Sequence, residues 1–208
     1  MGLFLSMSGV ARASGSDVEG ALSAYAVERG GLFQATAGPP ESPNRLVIVE
    51  GEAQKLTVLY PWEFVHWDDA SAFLSGTLSS PVLSLHIHDE DLWMYVLYSA
   101  GEEVDRFNPI PDYWSDVMPE EEYAQWSGDA SVIARVWPGV EAEEIRNYLV
   151  RWDLAHEEPG KAYEDDRHRY LNCFQLIDLM RRLGLAYPLD EHGKAMGRTY
   201  RFEIPSRG

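Results

Sequence analysis

The stretch from Val82 to Trp114, VLSLHIHDEDLWMYVLYSAGEEVDRFNPIPDYW, constrains the fold more than any other part of this chain. Successive strand side chains point to opposite sides of a sheet. In residues 82–88 that places Leu83, Leu85 and Ile87 on one face and Val82, Ser84, His86 and His88 on the other. Asp89, Glu90 and Asp91 are poor strand formers and suit a turn. The chain returns through residues 92–98, with Trp93, Tyr95 and Leu97 opposite Leu92, Met94, Val96 and Tyr98. Residues 99–102 make a second turn in which Gly101 accepts positive φ, and 104–107 form a third strand. Pro109 and Pro111 end it, since proline cannot donate to a ladder. The middle strand is apolar on both faces, which predicts a central strand covered on both sides.

Around this meander, the first half of the chain reads as strands and the second as helices. Ser16 and Glu19 match a capping box for a helix reaching Arg29, with Val18, Leu22 and Tyr25 inward and Gly30-Gly31 closing it. Strands follow at 32–37, 45–50 and 54–60, with a proline-rich loop at 38–43 and a tight turn containing Gly51. Asp68 or Asp69 caps a helix with Ala70, Phe73 and Leu74 inward. Asp129 caps another that holds Ile133 and Trp137. Ile145, Leu149 and Trp152 at i, i+4 and i+7 predict a further helix. The last, over 170–183, places Phe174, Ile177 and Met180 inward and stops at Gly184. The expectation is a single α+β domain over residues 1–208, with a mainly antiparallel sheet and helices packed on one side. Residues 1–112 form its sheet-rich part, 113–187 a helical part, and 188–208 a basic tail whose Tyr200, Phe202 and Ile204 can add an edge strand.

The N-terminus, MGLFLSMSGVARASG, imitates two targeting signals. Its apolar run is short, broken by serines and preceded by no basic segment, which argues against a secretory signal. Met1-Gly2 with Ser6 fits the loose myristoylation pattern. Alternation of Leu3, Leu5 and Met7 favours a first strand instead. No stretch approaches membrane-spanning length. A single cysteine, Cys173, excludes an internal disulfide and fits a reducing compartment, so the expected location is the cytoplasm. Net charge is −17, distributed as −8 over residues 1–101, −13 over 102–166 and +4 over 167–208. Such a balance repels nucleic acid and anionic membranes but permits a basic protein partner. Oligomeric state is not legible in the sequence.

Candidate chemistry is sparse. His86 and His88, two residues apart on one strand face, can chelate one divalent metal ion, with Asp89, Glu90 or Asp91 adding oxygen. A further ligand is required, and His66, His156 and His168 are available only if folding brings them close. The competing reading makes both histidines partly buried polar residues bonded to tyrosines or carboxylates. No nucleophile elbow, P-loop or dinucleotide fingerprint is present. Cys173, beside Phe174 in an amphipathic stretch, reads as a buried inert thiol. Most of the seven tryptophans suit a core, but Trp114 and Trp126, flanked by acids and prolines, read as exposed binding anchors.

The run HDEDLWMYVLYSAGEEVDRFNPIPDYW resembles a pattern in uncharacterised small acidic bacterial proteins: an acidic turn, an aromatic strand, a glycine turn, then D-x-F-N-x-x-P-x-Y. The resemblance continues in Gly128-Asp129-Ala130, in residues 148–152, and in residues 174–178 before Leu183-Gly184, and covers most of 60–190. It implies the α+β class and brings no activity, catalytic residue or cofactor with it. By charge and class alone the chain is also similar to acidic immunity factors that neutralise basic toxin enzymes.

Together these features lead to a non-enzymatic protein that binds a basic partner without a cofactor. The expected surface comprises Tyr113, Trp114, Glu120, Glu121, Glu122 and Trp126. The alternatives are a metal-dependent hydrolase centred on His86, His88 and Asp89, and a small-molecule pocket between sheet and helices.

Overall fold

The computed structural model describes residues 2–36, 45–62, 64–115, 117–155 and 160–205. The proline-rich loop at 38–43 and His156 lie outside them. Among the described residues, eight strands form one antiparallel sheet: β1 (Leu5–Val10), β2 (Leu32–Ala35), β3 (Arg45–Glu50), β4 (Leu56–Leu59), β5 (Val82–His88), β6 (Leu92–Ser99), β7 (Glu102–Phe107) and β8 (Arg198–Glu203). Their order across the sheet is β2-β8-β3-β4-β1-β5-β6-β7. The α+β class and the antiparallel sheet hold.

The meander forms as expected, with Leu85 opposite Tyr95 and Tyr95 opposite Phe107. Three residues, Asp89–Asp91, join β5 to β6 through a turn centred on Asp89-Glu90 (φ 51° and 64°), and two, Ala100-Gly101 (φ 53° and 86°), join β6 to β7. Positive φ at both central positions matches the twist of the flanking strands. β6 is covered on both faces but is not central, because only β7 lies outside it. β1 is the element that organises the sheet. It pairs β4 on one side and β5 on the other, with Ser6 opposite His86.

The helices do not gather on one side. Alternation along β1, β5 and β6 sends Met7, Leu83, Leu85, Ile87, Trp93, Tyr95 and Leu97 to a first face. Ile133, Trp137, Ile145, Leu176, Leu179 and Met180, from helices α4 (Ala130–Val136), α5 (Ala142–Ile145) and α6 (Gln175–Arg182), close over it. Val10, Ile48, Val58 and Val82 point to the second face, under α1 (Gly15–Glu28) and α2 (Trp67–Leu78). Strands buried on both faces need apolar side chains at successive positions, and the buried run of β5 has them. The short α3 (Glu120–Gln125) buries no residue. The C-terminal half is only partly helical, since turns and loops fill most of the chain between α3 and α6.

Several local readings shift. The capping box of α1 uses Ser14 and Asp17 rather than Ser16 and Glu19. α2 starts at Trp67 with no side-chain cap, because Asp68 bonds Ser84 while Asp69 bonds Tyr25 and Arg29. The expected helix through Ile145, Leu149 and Trp152 ends in a 3-10 turn at Arg146–Tyr148. Trp152 reaches the core from outside that helix, its backbone N–H donating to Pro109 O at 3.1 Å. α6 is shorter than expected because Leu171 has φ 63° and the Asn172 side chain takes the Phe174 N–H. Its buried face is Leu176, Leu179 and Met180, not Phe174 and Ile177. Gly184, at φ 72°, ends it as expected, with Leu185 N–H donating to Met180 O at 2.8 Å. The basic tail supplies β8, which is interior: it pairs β2 on one side and β3 on the other.

Candidate functional site

One end of the sheet collects the start of β1, the ends of β4, β5 and β7, and the start of β6. The loops leaving those ends meet there. β5 delivers His86 and His88 to the second face, and neighbouring elements close around them.

His86 is 6% exposed. Its ring stacks on Trp67 of α2, with centroids 4.5 Å apart and planes 5° apart. Its Nδ1 lies 3.1 Å from Ser6 Oγ on the adjacent strand. Burial disfavours the charged imidazole and pushes its pKa down to about 4, with His88 reinforcing the shift. His86 is therefore neutral at pH 7.

His88 is half-buried at the centre of an edge-to-face ring cluster. Phe4 lies 4.9 Å away, Trp114 5.0 Å and Tyr113 5.5 Å, and His86 is 5.7 Å distant. Tyr113 and Trp114 also meet edge-to-face at 5.1 Å. The Tyr113 hydroxyl donates to Asp91, which ties the 108–115 loop to the acidic turn and raises the tyrosine's pKa. The Phe4 segment is fixed to the same turn, as Glu90 N–H donates to Leu3 O at 3.1 Å. Trp114 is 55% exposed and forms the outer wall. Beside the cluster, Ser84 donates to Asp68. Burial raises the Asp68 pKa above the ordinary carboxylate range, and Glu103 adds to the shift.

The structure thus brings His86, His88, Tyr113 and Trp114 together. Trp126 sits elsewhere, half-buried with the Arg106 guanidinium 5.0 Å from its ring. Glu120, Glu121 and Glu122 form the exposed first turn of α3, which is pinned by Arg151 over Tyr123 at 3.3 Å. Asp89 is exposed in the αL turn. His168 lies by Phe174, its backbone N–H donating to Asp178, and His66 is exposed ahead of α2. Among the described residues, no group of three or more His, Cys, Asp or Glu side chains is gathered to hold a metal ion. Cys173 is buried and its thiol pKa is pushed up to about 11 by that burial.

Sequence reading missed Phe4, Ser6 and Trp67. Alternation with Leu3 and Leu5 does place Phe4 on the face of His88. The Ser6–His86 and Trp67–His86 contacts join elements far apart in the chain, and no local pattern announces them.

Chemically, the cluster offers aromatic faces and edges bordered by Asp89, Glu90 and Asp91. Ring faces attract cations, and nearby carboxylates add Coulomb attraction. Among the described residues, no helix is long and apolar enough to cross a membrane. Comparison with family models, with curated proteins and with solved structures finds no match to this chain.

Proposed function

We propose that this protein acts by binding a basic protein, and that the ring cluster around His88 is the anchor of the interface. The observation that carries the reading is the exposure of Trp114 beside Tyr113, Phe4 and His88, bordered by three consecutive acids. Trp62, Val65 and Val117 are exposed on loops at the same end of the sheet. An apolar centre with an acidic rim suits a partner that presents arginine or lysine around an apolar patch. Residues 102–166, at net −13, extend the field, and α3 adds Glu120, Glu121 and Glu122 to it. Charge of this kind raises association rate and specificity more than final affinity. The activity is inhibitor- or immunity-like, in the cytoplasm, and uses no cofactor.

A partner captured from lysate provides the test. Reversing Glu120, Glu121 and Glu122 to lysine should slow association at low salt by about tenfold, an effect that shrinks as salt screens the field. Trp114→Ala should speed dissociation, by about 2 kcal/mol if Trp114 is an anchor. Capture that is indifferent to salt and to both variants would retire the proposal.

A further inference from the structure

A second feature lies at the edge of the sheet remote from β7. Thr36 N–H donates to Thr199 O at 3.1 Å, which fixes the alternation of bonds between β2 and β8. Leu32 and Gln34 turn their backbone groups to β8, so those of Phe33 and Ala35 point out of the sheet. Among the described residues, no hydrogen-bond partner meets them there. An open edge is a template for a further strand, and proteins ordinarily defend it with charge, proline or a bulge. β7, the opposite edge, is defended: it carries Glu102, Glu103, Asp105 and Arg106 and pairs β6 across a register shift. β2 has no charge, no proline and no bulge.

The surface beside this edge is also free of unmatched charge, in a chain of net charge −17. α1 packs over β2 and β8, and Glu19 bonds Arg198 and Tyr200 of β8. Ser23 and Val27 follow Glu19 at i+4 and i+8, so they continue the flank of α1 that faces β8 and β2. Gly20 lies next to them, with nothing within 4 Å of where a Cβ would stand. Glycine in mid-helix costs stability, and no neighbour among the described residues needs the space it leaves. Val27 is 69% exposed and Leu32 36%. The charges that border the patch are matched, Arg201 with Glu203 at 2.8 Å and Arg198 with Glu19 at 2.5 Å.

We propose that two copies of this chain join edge to edge through β2, antiparallel about a two-fold axis at Gln34. Phe33 of each copy then exchanges both backbone hydrogen bonds with Ala35 of the other, which satisfies every outward group of the two edges. The large Phe33 ring comes to lie beside the small Ala35 side chain of the second copy. A two-fold interface brings like surfaces together, and an uncharged patch is where two acidic chains meet without like charges in contact. A basic partner, by contrast, gains nothing from a patch without acids. The two eight-stranded sheets become continuous, and the α1 helices meet beside the axis through Ser23 and Val27. Both ring clusters stay open, because β8, β3, β4 and β1 separate β2 from β5.

Sedimentation velocity of the full chain, from micromolar to near-millimolar concentration, should show a monomer–dimer equilibrium. Gln34→Glu faces Arg201 within one copy but its own counterpart across the axis. It should weaken the dimer about threefold at low salt and less at high salt, without harm to the monomer. Ala35→Pro removes an outward N–H that the monomer does not use, and should weaken association at least about tenfold. Gln34→Cys places two thiols across the axis at a Cα separation of about 4.5 Å, within reach of a disulfide. Oxidation should therefore cross-link it, while Val104→Cys on β7 should stay uncross-linked; Cys173 is buried and takes no part. A chain that remains monomeric over the whole range overturns the proposal. So does a dimer that neither Gln34→Glu nor Ala35→Pro weakens, or one that Val104→Cys cross-links as readily as Gln34→Cys.

Discussion

Trp137 and Trp152 occupy the same core but meet it differently. The Trp137 indole donates to Leu183 O at 2.9 Å, whereas that of Trp152 has no acceptor. Phenylalanine in place of either loses ring volume, but only at Trp137 does it also orphan a buried carbonyl. Trp137→Phe should therefore cost about 1–2 kcal/mol more than Trp152→Phe, measured by urea denaturation. His86 supports a second expectation. Its folded pKa, about 4, lies below the ordinary value of 6.5, so the unfolded chain binds more protons between these limits. Its contribution is intact above pH 6.5 and is lost as pH falls towards 4, by about 3 kcal/mol in all. Asp68 and Asp105, whose carboxyls are held above their ordinary range, oppose this trend, so the comparison must isolate His86. His86→Phe keeps a ring against Trp67 and should flatten the dependence of stability on pH between 6.5 and 4 by about one proton. An unchanged slope would show that His86 is not held neutral. Alternation alone revealed the face His86 shares with His88. Its stack on Trp67 depends on the docking of α2 over β5, which period-two patterning cannot register.

At the scale of elements, strands were more legible than helices. The limits of β3 and β5 follow from alternation, because a buried face punishes any slip in register. Helix limits depend on which of several polar residues caps, and α1 has four serines or acids within reach, Ser14, Ser16, Asp17 and Glu19. The Ser14 side chain accepts the Asp17 N–H at 3.2 Å, and Asp17 accepts the Ser14 N–H at 3.1 Å. Ser16 faces outward and bonds Ser14 Oγ. Ser14→Ala should cost about 1 kcal/mol in thermal or urea unfolding, and Ser16→Ala a few tenths. The reverse order would restore the box at Ser16 and Glu19. Glu19 has another task, since its carboxylate accepts from Tyr200 at 2.6 Å and pairs with Arg198 at 2.5 Å. The buried face of α6 was mis-phased for a related reason. Asp178 is buried and accepts the N–H groups of Arg167 and His168, so one wall position is polar and hydropathy alone misleads.

Across the whole molecule, charge segregated along the chain is recombined by folding. The basic C-terminal segment returns to the acidic parts: Arg198 pairs with Glu19, while Arg181 and Arg182 bracket Asp165 and the buried Asp166. Composition displayed the imbalance but not this pairing, which needs the order of strands. The same order decides the standing of the tail. Read as sequence, residues 188–208 are a basic tail that can add an edge strand. In the sheet, β8 lies between β2 and β3, and Tyr200 and Phe202 are buried under α1 with Tyr25 and Phe64 around Phe202. An edge strand can be lost with modest damage, but removing an interior one strips two ladders of their partners and opens the second core. Truncation after residue 196 should therefore abolish the cooperative unfolding transition. Phe202→Ala, which keeps the strand, should lower stability by about 3–5 kcal/mol in urea. Both are readable by tryptophan fluorescence and far-ultraviolet circular dichroism. A truncated chain that melts like the full one would mean that β2 and β3 are held without β8, and that α1 docks on the sheet through β1, β3 and β4 alone.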